Sequence, residues 1–146
     1  MKNQIRGIEC TANRWVLEQL VQYWGNDEFH FWISSCMIYP DLFSKGQPKN
    51  LELSYGELDN LVRQNIWELD FKVFDKNSEP EHIMSYDDFL RSGCIFCLMY
   101  YDCQFLELYI KRADDYERIR KLLECLGSEN LITKTDSSDG REYLHL

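Results

Sequence analysis

Trp67-Glu68-Leu69-Asp70-Phe71-Lys72-Val73 alternates large apolar residues with charged ones at a period of two. Successive side chains of a strand point to opposite faces. Trp67, Leu69, Phe71 and Val73 are therefore expected in the core, and Glu68, Asp70 and Lys72 in water. One dry and one wet face is what antiparallel pairing permits.

The surroundings extend this reading. Upstream, Ser54-Tyr55-Gly56-Glu57 has the spacing of a capping box and opens a helix that buries Leu58, Leu61 and Val62. Downstream, Asp75 to Pro80 is a polar loop, and Ser85-Tyr86-Asp87-Asp88 caps a short helix ending near Ser92-Gly93. Cys94–Tyr101 is apolar on both faces and is expected near the centre of a sheet. Asp102-Cys103 is a tight connection to Phe105–Ile110, although it lacks the glycine that hairpin turns favour. A helix from Asp114 follows, with Tyr116, Ile119, Leu122 or Leu123, and Leu126 buried and Gly127 at its end.

Towards the N-terminus, Gln4–Glu9 is a strand, and Thr11 caps a helix to about Trp24 with Trp15, Val16 and Leu20 inside. Gly25-Asn26-Asp27 stops it. Phe29, Phe31 and Ile33 then alternate with His30, Trp32 and Ser34, and Cys36–Tyr39 continues that strand or begins another. Pro40 to Asn50 is a loop. Leu131–Thr135 and Glu142–Leu146 are the last strands, joined by Asp136 to Gly140. Strands that neighbour strands, with helices between the groups, argue an α+β fold. The expectation is a single domain over 1–146, a mainly antiparallel sheet with three to four helices packed on it.

Charge narrows the partners. The formal net charge is −9 and the pI about 4.8. Residues 51–110 hold twelve acids against four bases, net −8, so nearly the whole deficit lies there. Nucleic-acid affinity rests on basic groups that displace counterions from phosphates, so neither nucleic acid nor an anionic membrane surface is an expected partner. Met1 to Ile8 has no apolar signal segment, and no run approaches the length of a membrane span. A cytoplasmic location is expected, with the six cysteines at 10, 36, 94, 97, 103 and 125 reduced.

Cys94-Ile95-Phe96-Cys97 has redox or zinc spacing, but residues three apart on a strand point to opposite faces, so the sulfurs are expected to diverge. His30, His82 and His145 have no metal-ligand spacing, and no phosphate loop or nucleophile elbow is present. Asp87-Asp88 and Asp114-Asp115 stand at helix starts, where carboxylates meet backbone donors. Lys111-Arg112, Arg118, Arg120 and Lys121 are interleaved with acids as on a solvated helix face. No catalytic residue, metal or cofactor is therefore assigned.

Aromatic residues make up 14% of the chain, more than one core face needs, and exposed rings among acids serve as interface anchors. The leading expectation is a non-catalytic, acidic protein-interaction module, an inhibitor or immunity-type partner of a basic protein. Its candidate interface is Glu68, Asp70, Trp32 and Tyr109, with Glu52, Glu57 and Asp59 nearby in sequence. The alternative is a small enzyme or small-ligand-binding domain with a site that no motif marks, for example a cysteine and a histidine brought together in space.

Several segments also resemble a family of small bacterial proteins filed as a domain of unknown function. They are Ile5-Arg6-Gly7-Ile8, Trp32-Ile33-Ser34, Ser85 to Leu90 with Ser92 and Cys94, Asp102-Cys103 before Glu107 to Lys111, and Asp139-Gly140-Arg141. The resemblance spans nearly the whole chain. It implies a bacterial cytoplasmic protein and supplies no activity, cofactor or catalytic residue.

Overall fold

The computed structural model describes residues 6–25, 29–38 and 51–135. The expected elements at Glu142–Leu146 and Asp136 to Gly140, and the Pro40 to Asn50 loop, lie outside these residues. The described strands are β1 Arg6–Thr11, β2 Phe29–Ile38, β3 Leu51–Leu53, β4 Ile66–Asp75, β5 Cys94–Tyr101, β6 Phe105–Ile110 and β7 Glu129–Thr135. They form one sheet in the order β3-β2-β4-β5-β6-β1-β7, antiparallel at every pairing. Helices α1 Arg14–Val21, α2 Tyr55–Val62, α3 Tyr86–Arg91 and α4 Ala113–Cys125 complete an α+β fold. The doubly apolar β5 sits in the middle of the sheet, as its composition requires.

One face of the sheet is the main core. Leu69, Phe71 and Val73 of β4 pack there with Ile95, Phe96, Leu98 and Tyr100 of β5, under Val16, Leu17, Leu20, Leu58, Val62, Ile119 and Leu123 from α1, α2 and α4. Trp24 closes this layer, with ring centroids 5.0 Å from Phe96 and 5.6 Å from Phe71 in edge-to-face geometry. Local chemistry sets the helix limits. Ser54 and Glu57 form the reciprocal capping box that the spacing predicts. The end of α4 is a Schellman motif, in which Gly127 at φ +76° lets Ser128 N–H reach Leu123 O and Gly127 N–H reach Glu124 O.

Two expectations for α1 need correction. Asn13, not Thr11, caps it, accepting the Val16 N–H. Trp15 is 51% exposed because the buried stripe runs through Val16, Leu17, Leu20 and Val21. Trp67 is only half-buried, since a register shift opposite Met37 and Ile38 takes it out of the pairing. The β5–β6 connection uses positive φ at both Asp102 (55°) and Cys103 (60°), the I′ pattern without its usual glycine.

Candidate functional site

The second face of the sheet is not wet. Asp70 and Lys72 are both fully buried, and Glu107 is 2% exposed. Neighbouring strands place Trp32, Lys72, Cys97, Tyr109 and Gly7 in one row across the sheet, and Ser35, Asp70, Met99, Glu107 and Glu9 in the next. Alternation correctly sends these side chains away from α1, α2 and α4 but does not reveal that they are covered. Lys72 Nζ and the Asp70 carboxylate form an ion pair along the strand. A buried charge is tolerated only when paired in this way.

Cys94 and Cys97 point to the same face, contrary to the strand rule. Phe74 pairs with Cys94 but Val73 pairs with Phe96, so Ile95 is an extra residue in β5. This bulge reverses the alternation, places Ile95 and Phe96 together in the main core, and leaves the sulfurs 3.9 Å apart. Burial holds the Cys94 thiol well above its ordinary pKa, and the neighbouring Cys97 adds to this against the opposing charges of Lys72 and Lys111. Cys94 is thus a neutral thiol donating to Phe96 O at 3.2 Å rather than an activated nucleophile. Among the described residues no three His, Cys, Asp or Glu side chains gather as a metal site.

Over this face lies a short cap, the segment from Glu79 through α3. Ile83 and Phe89 insert from it against Phe74, Cys94, Cys97, Met99 and Tyr109. Lys111 fastens it: its Nζ donates to Phe89 O at 2.6 Å and Ser92 O at 2.8 Å and lies 4.9 Å from the Phe89 ring centroid. Burial pulls the Lys111 pKa down, and Cys94, Cys97 and Glu81 oppose that shift. Tyr109 is edge-on to Tyr86 at 5.4 Å. A Cβ on Gly7 would stand 3.0 Å from the Tyr109 ring, so glycine gives the ring its space.

The outer surface of the cap is distinctive. Met84 is 44% and Leu90 43% exposed. Glu79 to Arg91 carries four carboxylates against one arginine. Asp88 is engaged within the cap, accepting the Met84 N–H at 2.9 Å and approaching Arg91 at 3.8 Å. Glu79, Glu81 and Asp87 make no ion pair among the described residues.

The expected interface residues separate. Asp70 and Tyr109, the latter 1% exposed, are interior and present nothing to solvent. Glu68 is half-buried, and burial together with the charge of Asp102 raises its pKa. Trp32 is half-buried beside the cap, its ring 5.8 Å from that of His82. Sequence reading missed the buried state of Lys72 and Glu107, which no local pattern signals. It also missed Met84 and Leu90, although the run Glu79-Pro80-Glu81 and Asp87-Asp88 around them was visible. Among the described residues neither histidine forms a thiol site: His30 binds Glu52 at 2.7 Å and Lys76 O at 3.0 Å, while His82 packs on Trp32; His145 lies outside the described residues.

Fold and site together define an α+β protein with a single antiparallel sheet, one face under three helices and the other under a short acidic cap. Residues 5–145 match the family described as a protein of unknown function (DUF2691), and the chain belongs to that family. Neither a curated protein nor a solved structure matches it. No helix among the described residues is long and apolar enough to cross a membrane.

Proposed function

We propose that this chain is a non-catalytic binding module that docks a basic protein through the Glu79–Arg91 cap. The observation that carries the reading is the exposed Met84–Leu90 pair set among Glu79, Glu81 and Asp87. An apolar centre inside a charged rim is the anatomy of a protein interface. Excess negative charge selects a positive partner and speeds encounter. Trp32, half-buried at the edge of the cap, is the aromatic anchor in this arrangement. An inhibitor or immunity-type role would use the surface in the same way. The carboxylates that repel phosphate leave nucleic acid and anionic membranes as poor partners.

The test is capture from the source cell on immobilised full-length chain, run beside a Met84→Ser/Leu90→Ser variant and a Glu81→Lys/Asp87→Lys variant. The expected partner is basic, is retained at low salt, and is lost from both variants. A partner held equally by all three chains overturns the assignment.

A further inference from the structure

A second feature lies away from the cap, where the start of α1 meets the β5–β6 turn. Here Arg14, Trp15, Glu18, Ile66, Tyr100 and Cys103 line a shallow groove of about 460 Å³. Tyr100 is fully buried, yet among the described residues its hydroxyl has no hydrogen-bond partner. A buried hydroxyl without a partner is uncommon in folded proteins and calls for an explanation. Tyr100 lines this groove together with Arg14 and Cys103, and burial, with a smaller contribution from Cys103 set against Arg14, pushes its phenol up to about 12.

The other walls have matching chemistry. The Arg14 guanidinium donates to Asn65 Oδ1, and its remaining N–H groups suit a carboxylate. Glu18 brings the opposite charge, and Trp15 offers an exposed ring face. Cys103 is an exposed thiol held on the turn at φ 60°, with Sγ 3.6 Å from Ile66 O. Cys125 is also exposed but stands on α4, outside this groove.

We propose that the groove seats a small zwitterionic amino-acid disulfide and that Cys103 is its site of mixed-disulfide formation. Arg14 and the Tyr100 hydroxyl hold the carboxylate, and Glu18 faces the ammonium group. The Cys103 thiolate attacks one sulfur of the bound disulfide. The old S–S bond breaks and a new one joins Cys103 to half of the reagent. The other half leaves as a thiolate and takes up the proton that Cys103 gave up, so Cys103 is oxidised and one half-reagent reduced. The site is independent of the cap.

The test uses fully reduced, full-length protein pulsed with L-cystine, quenched with acid and read by peptide mass spectrometry at Cys103 and Cys125. Hydroxyethyl disulfide, which is neutral, and cystamine, which is only cationic, serve as comparison reagents. Cystine is expected to modify Cys103 at least about tenfold faster than Cys125, a difference of roughly 1.4 kcal/mol in barrier. Arg14→Gln and Tyr100→Phe should bring that ratio down to the one the neutral reagent gives. The second change removes a hydroxyl with no partner and keeps the ring, so the fold is retained, which thermal unfolding would verify. Equal rates at the two cysteines, an equal preference with the neutral reagent, or a preference that survives Arg14→Gln would overturn the proposal.

Discussion

Cys94 and Cys97 bring their sulfurs to 3.9 Å because Ile95 is an extra residue in the strand between them. Without the bulge, Cys97 and Cys94 would be on opposite faces of β5. With it, both enter the small core beneath α3, where Lys111 secures the overlying backbone. The spacing resembles a redox or zinc motif, while the surroundings are those of packed apolar thiols.

Thiol accessibility follows from this. Cys10, Cys36, Cys94 and Cys97 are buried, whereas Cys103 and Cys125 are exposed. A reduced sample treated with a chromogenic disulfide should release two equivalents quickly and the other four only on unfolding. Rapid release of more than two in the native state would mean that the bulge region opens freely.

The same burial has a pH consequence. Burial raises the pKa of Cys10 and Cys94, and pushes Cys36 and Tyr100 up to about 12. These groups keep their protons in the folded chain at a pH where the unfolded chain loses them. Their contribution is fully present below the unfolded thiol pKa and declines as pH rises through about 9 towards 12. Each fully differing thiol removes up to about 1.4 kcal/mol per pH unit in that window. Urea midpoints measured from pH 7 to 11 should be flat at first and then fall; a midpoint that holds to pH 11 would contradict this assignment of burial.

How much of this was legible depended on whether the signal was local. Ser54 and Glu57, the Phe29–Phe31–Ile33 alternation, the Ser85 cap and Gly127 act on neighbouring backbone, and each appears where the residues indicate. The short β3 strand was missed because three residues carry no measurable period. The face of β4 that bears Asp70 and Lys72 reads as solvent, because polarity reports which way a side chain points and not what lies above it. The cap is the segment between β4 and β5 folded back over the sheet, with Ile83 and Phe89 against Phe74 and Cys97, and no periodicity signals that fold-back. The paired cysteines were misplaced for a related reason, since a bulge depends on the partner strand. Exposure of Met84 and Leu90 is also a tertiary fact, since either could have been core.

The buried ion pair makes a double-mutant cycle informative. Asp70→Asn or Lys72→Met alone leaves one charge without its mate in the interior and should cost roughly 3–5 kcal/mol. Replacing both by apolar residues of similar volume should recover much of that loss. Strictly additive losses in denaturant titrations would show that the two side chains do not depend on each other.

On the opposite face, Phe71 is fully buried against Trp24. Phe71→Ala should cost about 3–5 kcal/mol, the range for an emptied aromatic core site. A loss below about 1 kcal/mol would be incompatible with this packing.

Charge reversal on the two acidic regions distinguishes the cap from the interface read in the sequence. Glu81 and Asp87 are exposed and neighbour Met84 and Leu90 in the chain, whereas Glu68, on β4, is half-buried and feels the charge of Asp102. Exposed charges act over about 8–10 Å at ordinary ionic strength, so each reversal reports on its own neighbourhood. With the basic partner in hand, Glu81→Lys/Asp87→Lys should slow association by about tenfold or more at low salt and by much less at high salt. Glu68→Lys should leave the on-rate within about twofold, and Leu90→Ser should act mainly on the dissociation rate, as loss of an apolar anchor does. Stopped-flow measurement at two salt concentrations separates these effects. A larger loss from Glu68→Lys than from the cap reversals would move the docking surface back to β4 and away from α3.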